Sequence, residues 1–157
     1  MFRGSSYQTV DGKGRVSIPA RYREILKGNQ ESHLIVTTFE GYLLVYPQSA
    51  WAKVEQELEG GDNFDPKYRA HVRYLVSQAE ECAIDKQGRI LIPKHLREYA
   101  NLDGDVAIVG MISNFEIWDR ERYTAYRKQQ EEAAKKREKS EKMAESIKAS
   151  GILGDVG

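Results

Sequence analysis

The chain has 157 residues, with 24 Lys and Arg against 24 Asp and Glu; 40% of its residues are hydrophobic and 31% charged. That length holds one ordinary domain or two small ones, and the apolar share suits a core and excludes a wholly disordered chain. The longest apolar run, VAIVGMI (106–112), is strand-sized and far short of a bilayer span, and the MFRGSS start carries no secretory-signal pattern. Cys82 stands alone, which excludes an intrachain disulfide and favours a reducing compartment. A soluble cytoplasmic protein is expected.

In chain order, 7–10 and 15–18 are β-rich runs on either side of Asp-Gly-Lys-Gly (11–14), which reads as a hairpin around a type I turn. The Asp11 carboxylate suits the first turn position, and Gly14 follows where φ turns positive. Pro19 marks the change from strand to helix, and ARYREIL (20–26) makes about two helical turns with Tyr22 and Leu26 on one face. A second hairpin is expected from strands 34–38 and 43–46, and Pro47 opens a helix that contains Trp51. Gly60-Gly61 ends that helix. Asp65-Pro66 starts another, running to about Gln78 with an apolar stripe of Tyr68, Val72, Leu75 and Val76.

The second half then repeats the first. DGKGRVSIPARYREIL (11–26) aligns with DKQGRILIPKHLREYA (85–100) at an offset of 74, matching Asp11, Gly14, Arg15, Ile18, Pro19, Arg23 and Glu24 to Asp85, Gly88, Arg89, Ile92, Pro93, Arg97 and Glu98. HLIVTT (33–38) matches AIVGMI (107–112) in character at the same offset, and YLLVYPQSAW (42–51) matches NFEIWDRERY (114–123) at 72, which places a two-residue deletion in the second hairpin loop. The expected divisions are 5–51 and 79–123 for the two units, 52–78 for linker helices and 124–157 for a charged tail, helical by propensity or disordered. Ile152 and Leu153 are too few to add a core there.

Charge is banded along this plan. Residues 1–30 carry six cations and two anions, 31–66 one cation and seven anions, 67–100 seven and four, 101–119 none and four, and 120–157 ten and seven. A nucleic-acid footprint is a local field and survives a neutral total when basic bands share a face. Two units related by a pseudo-two-fold axis could interleave their strands into one small barrel, with both turns at the same end. Lys13 and Arg15 would then stand beside Lys86 and Arg89. Arg suits bidentate contact with guanine, while Lys and turn N–H groups suit phosphate. Asp11 and Asp85, four residues ahead, can bond each guanidinium and restrict its rotamers.

The start MFRGSSYQTVDGKGRVSIPARYR and the copy DKQGRILIPKHLRE closely resemble the bacterial MraZ family, over about residues 1–125 and including the paired D-x-x-x-R motif. The resemblance implies an α+β, AbrB-like swapped-hairpin barrel built from two tandem β-β-α-β-β units. It also implies a sequence-specific transcriptional regulator of the division and cell-wall gene cluster, binding repeated boxes upstream of its own operon. Nucleoid association and a homo-oligomeric ring come with it. On that analogy Asp11, Arg15, Asp85 and Arg89 are the motif positions, double-stranded DNA is the partner, and no cofactor, membrane or small-molecule substrate is expected.

Two rival readings have weight. A recurring Asp pair suggests an aspartic-protease-like dyad, but each Asp precedes its own Arg, which favours two ionised carboxylates and no enzyme. His33, His71, His95 and Cys82 lack zinc-ligand spacing. The stronger alternative is a protein-interaction module, antitoxin-like or a ring scaffold, docking through the 68–76 stripe or the tail.

Overall fold

The computed structural model describes residues 1–151, so the Ile152 and Leu153 expectation lies outside the described residues. The chain forms two compact units, residues 1–120 and 121–157. The first contains β1 (Ser5–Thr9), β2 (Arg15–Ser17), α1 (Ala20–Gly28), β3 (His33–Phe39), β4 (Tyr42–Pro47), α2 (Gln48–Glu59), α3 (Pro66–Val76), β5 (Glu80–Ala83), β6 (Arg89–Leu91), α4 (Lys94–Ala100), β7 (Asp105–Gly110) and β8 (Phe115–Asp119). The described part of the second unit is the helix α5, which begins at Arg120 and ends at Ala149. Its mixed Lys/Glu sequence gives it little apolar stripe, and Arg127 pairs with Glu131 one turn on.

The strands interleave. All pairs are antiparallel, and the six-stranded sheet runs β1-β7-β8-β4-β3-β5, while β2 and β6 form a separate two-stranded ribbon. Exchanging the two repeats maps that order onto its own reverse, so β1 on β7 and β5 on β3 are the same swap made twice. The hairpins expected from β3 with β4 and β7 with β8 form along their length, whereas those around 11–14 and 85–88 close only at their tips, where Asp11 N–H bonds Arg15 O at 3.0 Å and Asp85 N–H bonds Arg89 O at 2.9 Å. Beyond that rung each arm leaves to pair with the other repeat.

The tandem α+β swapped plan is present, but its ladder is not one closed barrel. Sheet and ribbon face each other across a single core. The physical reason lies at Pro19 and Pro93, which follow the short strands β2 and β6 almost at once, offer no N–H and turn the chain into α1 and α4. Val16, Ile18, Ile90 and Ile92 from the ribbon side meet Leu34, Val36, Leu43, Val45, Val106, Ile108, Phe115 and Ile117 from the sheet. Tyr22 and Leu26, with their counterparts Leu96 and Ala100, close the ends, as the helical spacing predicted.

The register relocates the deletion. Val16 pairs with its own counterpart Ile90, and Leu44 with Glu116, at offsets of 74 and 72. Thr9 pairs with Asp105, whereas Ala83 pairs with His33, so β3 and β7 already correspond at 72. The two missing residues belong to the helix connection, since α1 has 9 residues and α4 has 7. A slip of two preserves strand alternation, which is why the pattern of 107–112 concealed it.

The stripe on α3 is largely spent inside the chain. Asp65 caps the helix through Lys67 N–H, Leu75 is buried, and Thr37 Oγ1 donates to Leu75 O. Tyr68 and Val72 are half-buried, with Tyr68 OH on Leu58 O, and Val76 is exposed. Cys82 belongs to the core, where burial pushes its thiol up to about 11, so it packs as a protonated apolar group.

Candidate nucleic-acid interface

Each D-x-x-G-R turn is organised by its aspartate. Asp11 Oδ1 accepts from Lys13 N–H and Arg15 N–H, both at 2.9 Å, while Oδ2 accepts from Arg15 Nε at 2.7 Å. Gly14 N–H closes the turn on Asp11 O at 3.0 Å. The second turn repeats this atom for atom, with Gln87 N–H, Arg89 N–H and Arg89 Nε on Asp85, each at 2.9 Å. These bonds favour the ionised carboxylate. The Arg15 backbone N–H is the largest influence, and Asp11 falls to about 2; Asp85 is lowered for the same reason. Both carboxyls are pushed down, the opposite of a dyad sharing one proton.

The ribbon decides where the guanidinium groups stand. Arg15 lies opposite Leu91 and Arg89 opposite Ser17, so these four residues share one face, while Val16 and Ile90 point into the core with no exposure. Arg15 and Arg89 are diagonal neighbours, a relation that places such positions about 7–8 Å apart. Their side chains keep 30% and 27% of their exposure. The two turns, expected at the same end, stand instead at opposite ends of the ribbon because β2 and β6 pair antiparallel, while their arginines share its outer face. With Nε held by carboxylate, both terminal nitrogens of each guanidinium remain available as donors.

Lys13 and Lys86 are exposed beside these arginines but do not correspond. Lys13 is matched by Gln87, and Lys86 by Gly12. Gly14 and Gly88 are buried and have φ of +88° and +76°. A β-carbon on Gly14 would lie 2.6 Å from Arg97 Cζ, and one on Gly88 would lie 2.2 Å from Arg23 Cδ. The arginine of each repeat's helix thus covers the other repeat's turn. Cross-repeat bonds fasten the same places, Ile18 N–H to Gly88 O at 2.8 Å and Ile92 N–H to Gly14 O at 3.0 Å.

The D-x-x-x-R motif leaves out Arg23 and Arg97; Arg97 Nε donates to Ile92 O at 2.9 Å, and the adjacent Glu98 faces Lys94. Their recurrence at the offset of 74 was the available signal. No group of three or more His, Cys, Asp or Glu side chains among the described residues could hold a metal ion. No helix among the described residues is long and apolar enough to cross a membrane.

Fold and site together define a duplicated, strand-swapped module with a paired arginine ribbon. The family described as "MraZ protein, putative antitoxin-like" matches twice, over residues 1–74 and 75–145. The chain belongs to the MraZ family. It is 44% identical to the transcriptional regulator MraZ of Syntrophobacter fumaroxidans over 125 residues, covering 80% of this chain and 83% of that one. It is also 44% identical to that of Desulfitobacterium hafniense over 133 residues, 85% of this chain and 91% of the relative. The regulator of Thioalkalivibrio sulfidiphilus is 44% identical over 128 residues, covering 81% and 85%.

Proposed function

We propose that the chain is a DNA-binding transcriptional regulator that reads sequence through the outer face of the β2–β6 ribbon. The observation that carries this reading is the placement of Arg15 and Arg89 on one face, each oriented by its own aspartate. A two-stranded ribbon is of a size to enter a major groove, and an ordered guanidinium presents a fork to guanine O6 and N7. Lys13 and Lys86 serve phosphates, Asp11 and Asp85 order the arginines, and Gly14 and Gly88 shape the turns. The relatives' names support a regulatory role.

The finer reading concerns targets and assembly. The targets are repeated boxes upstream of the chain's own operon, within the division and cell-wall gene cluster. The protein acts in the cytoplasm at the nucleoid as a homo-oligomeric ring, and units 5–51 and 79–123 form one reading head. A single head makes few phosphate contacts, so consecutive boxes engaged by several heads raise avidity through effective concentration. No catalytic step or cofactor is assigned to these residues.

The test is Arg15→Ala with Arg89→Ala in the full chain, measured by fluorescence anisotropy on the duplex upstream of the gene, with solution mass alongside. The expected result is a loss of specific affinity of at least tenfold with unchanged mass, given about 1–3 kcal/mol for each bidentate base contact. The antitoxin-like family description favours a second reading, docking to a protein partner. On that reading the double variant keeps its partner, and the wild type shows no preference for the upstream duplex.

A further inference from the structure

Around the ribbon stand two more guanidinium groups that the D-x-x-x-R motif does not include. Arg23 is exposed on α1, and Arg97 is half-buried on α4. Neither has a carboxylate partner among the described residues, in contrast to Arg15 and Arg89. Each lies against the turn of the other repeat. Arg97 lies over Gly14, its Nε on Ile92 O, and Arg23 lies over Gly88 with its Cδ and Nη1 where a β-carbon would fall. An open cleft brings Arg23 and Lys27 together with Asp85, Lys86 and Gly88 of the opposite turn.

An arginine without an acid partner, held at a chosen spot by packing, keeps its full charge for an outside anion. The two positions are equivalent under the repeat and flank the ribbon at its two ends. They are therefore placed to grip the backbone on either side of whatever the ribbon reads. Glycine at 14 and 88 has a second role here, since any side chain would push the covering arginine away.

We propose that Arg23 and Arg97 are phosphate-binding residues of the DNA interface, each acting beside the turn of the opposite repeat. The inference rests on the DNA-binding reading given above. Arg15 and Arg89 then discriminate among sequences, whereas Arg23 and Arg97 hold any duplex in register. The two pairs differ in what their loss does. Losing base contacts relaxes specificity, while losing phosphate contacts weakens all duplexes alike and flattens the salt dependence.

The experiment compares wild type, Arg23→Gln with Arg97→Gln, and Arg23→Lys with Arg97→Lys, all as full chains. Each is titrated on the upstream duplex and on an unrelated duplex of equal length between 0.05 and 0.3 M salt, settings of roughly the range where such slopes are read. Thermal unfolding and solution mass verify that each variant is folded. Two lost phosphate contacts should lower the slope of log affinity against log salt by about 1.8, or about 30-fold in affinity at 0.15 M. The loss should be equal on both duplexes, and the lysine pair should recover most of the slope. A slope equal to that of the wild type, or a loss confined to the upstream duplex, overturns the proposal. A glutamine pair that no longer folds, beside a lysine pair that folds with a reduced slope, makes the arginines structural and also overturns it. Wild type that binds neither duplex overturns the DNA-binding reading itself.

Discussion

Asp11 spends both carboxylate oxygens on its own turn, and the distribution of those bonds has a measurable result. Its largest stabilising influence is the Arg15 backbone N–H, ahead of the guanidinium. Arg15→Ala, which keeps that N–H and the one from Lys13, should therefore leave part of the lowering in place. In an NMR titration the Asp11 carboxyl should have its midpoint at about 2 in the wild type and move up in the variant while staying below 3.8. Linkage follows from the sign. A carboxyl lowered on folding adds stability above its unfolded value near 3.9, and that stability fades as pH falls through the folded value. Both carboxyls, lowered in the fold, stay ionised from roughly pH 5 to 8, so their bonds to the arginines persist across that range. This arrangement was legible in the sequence, because each aspartate side chain bonds within its own D-x-x-G-R segment and that segment occurs twice. Arg23 and Arg97 were not legible in the same way, since each lies against the turn of the other repeat, Arg23 against Gly88 and Arg97 against Gly14, far away in sequence.

Within the turns, the two glycines of the first have opposite duties. Gly14 needs positive φ and leaves its space to Arg97, while Gly12 has neither positive φ nor a neighbour within 4 Å of a β-carbon. Gly14→Ala should cost about 1–3 kcal/mol through backbone strain, with the displaced arginine adding to it. Gly12→Ala should stabilise by about 0.4–1 kcal/mol by reducing unfolded-state freedom. Denaturant midpoints for the two variants check both signs. The strands illustrate what local pattern conveys and what it omits. Apolar β-rich runs marked β3 and β4, and the repeat extended that reading to β7 and β8, but such a pattern says nothing about which strand lies alongside. It therefore suggested ordinary hairpins where the arms separate, and it absorbed the two-residue slip in β7 without a trace.

For the molecule as a whole, interleaving makes each repeat the other's missing half. In residues 1–74 alone, β1 lacks β7, β2 lacks β6, β3 lacks β5, and β4 lacks β8. The pseudo-symmetric pairing of Val16 with Ile90 shows how two such fragments would fit, Val16 against Val16. Residues 1–74 expressed separately should sediment as a dimer whose strand content vanishes on dilution, and a folded monomer would contradict the interleaved architecture. The duplication gave this overall plan to sequence reading, whereas the split into sheet and ribbon depended on where two prolines end their strands.

The lysines at 13 and 86 occupy different places in otherwise matching turns, and that asymmetry has its own consequence. A protein made of two identical chains presents halves related by a two-fold rotation and is suited to palindromes. Joining both halves in one polypeptide released each tip to mutate alone, and here one tip carries its cation a step nearer the arginine than the other does. On the proposed reading the head therefore has a front and a back, and its preferred site should possess a polarity that changes when the duplex is turned around.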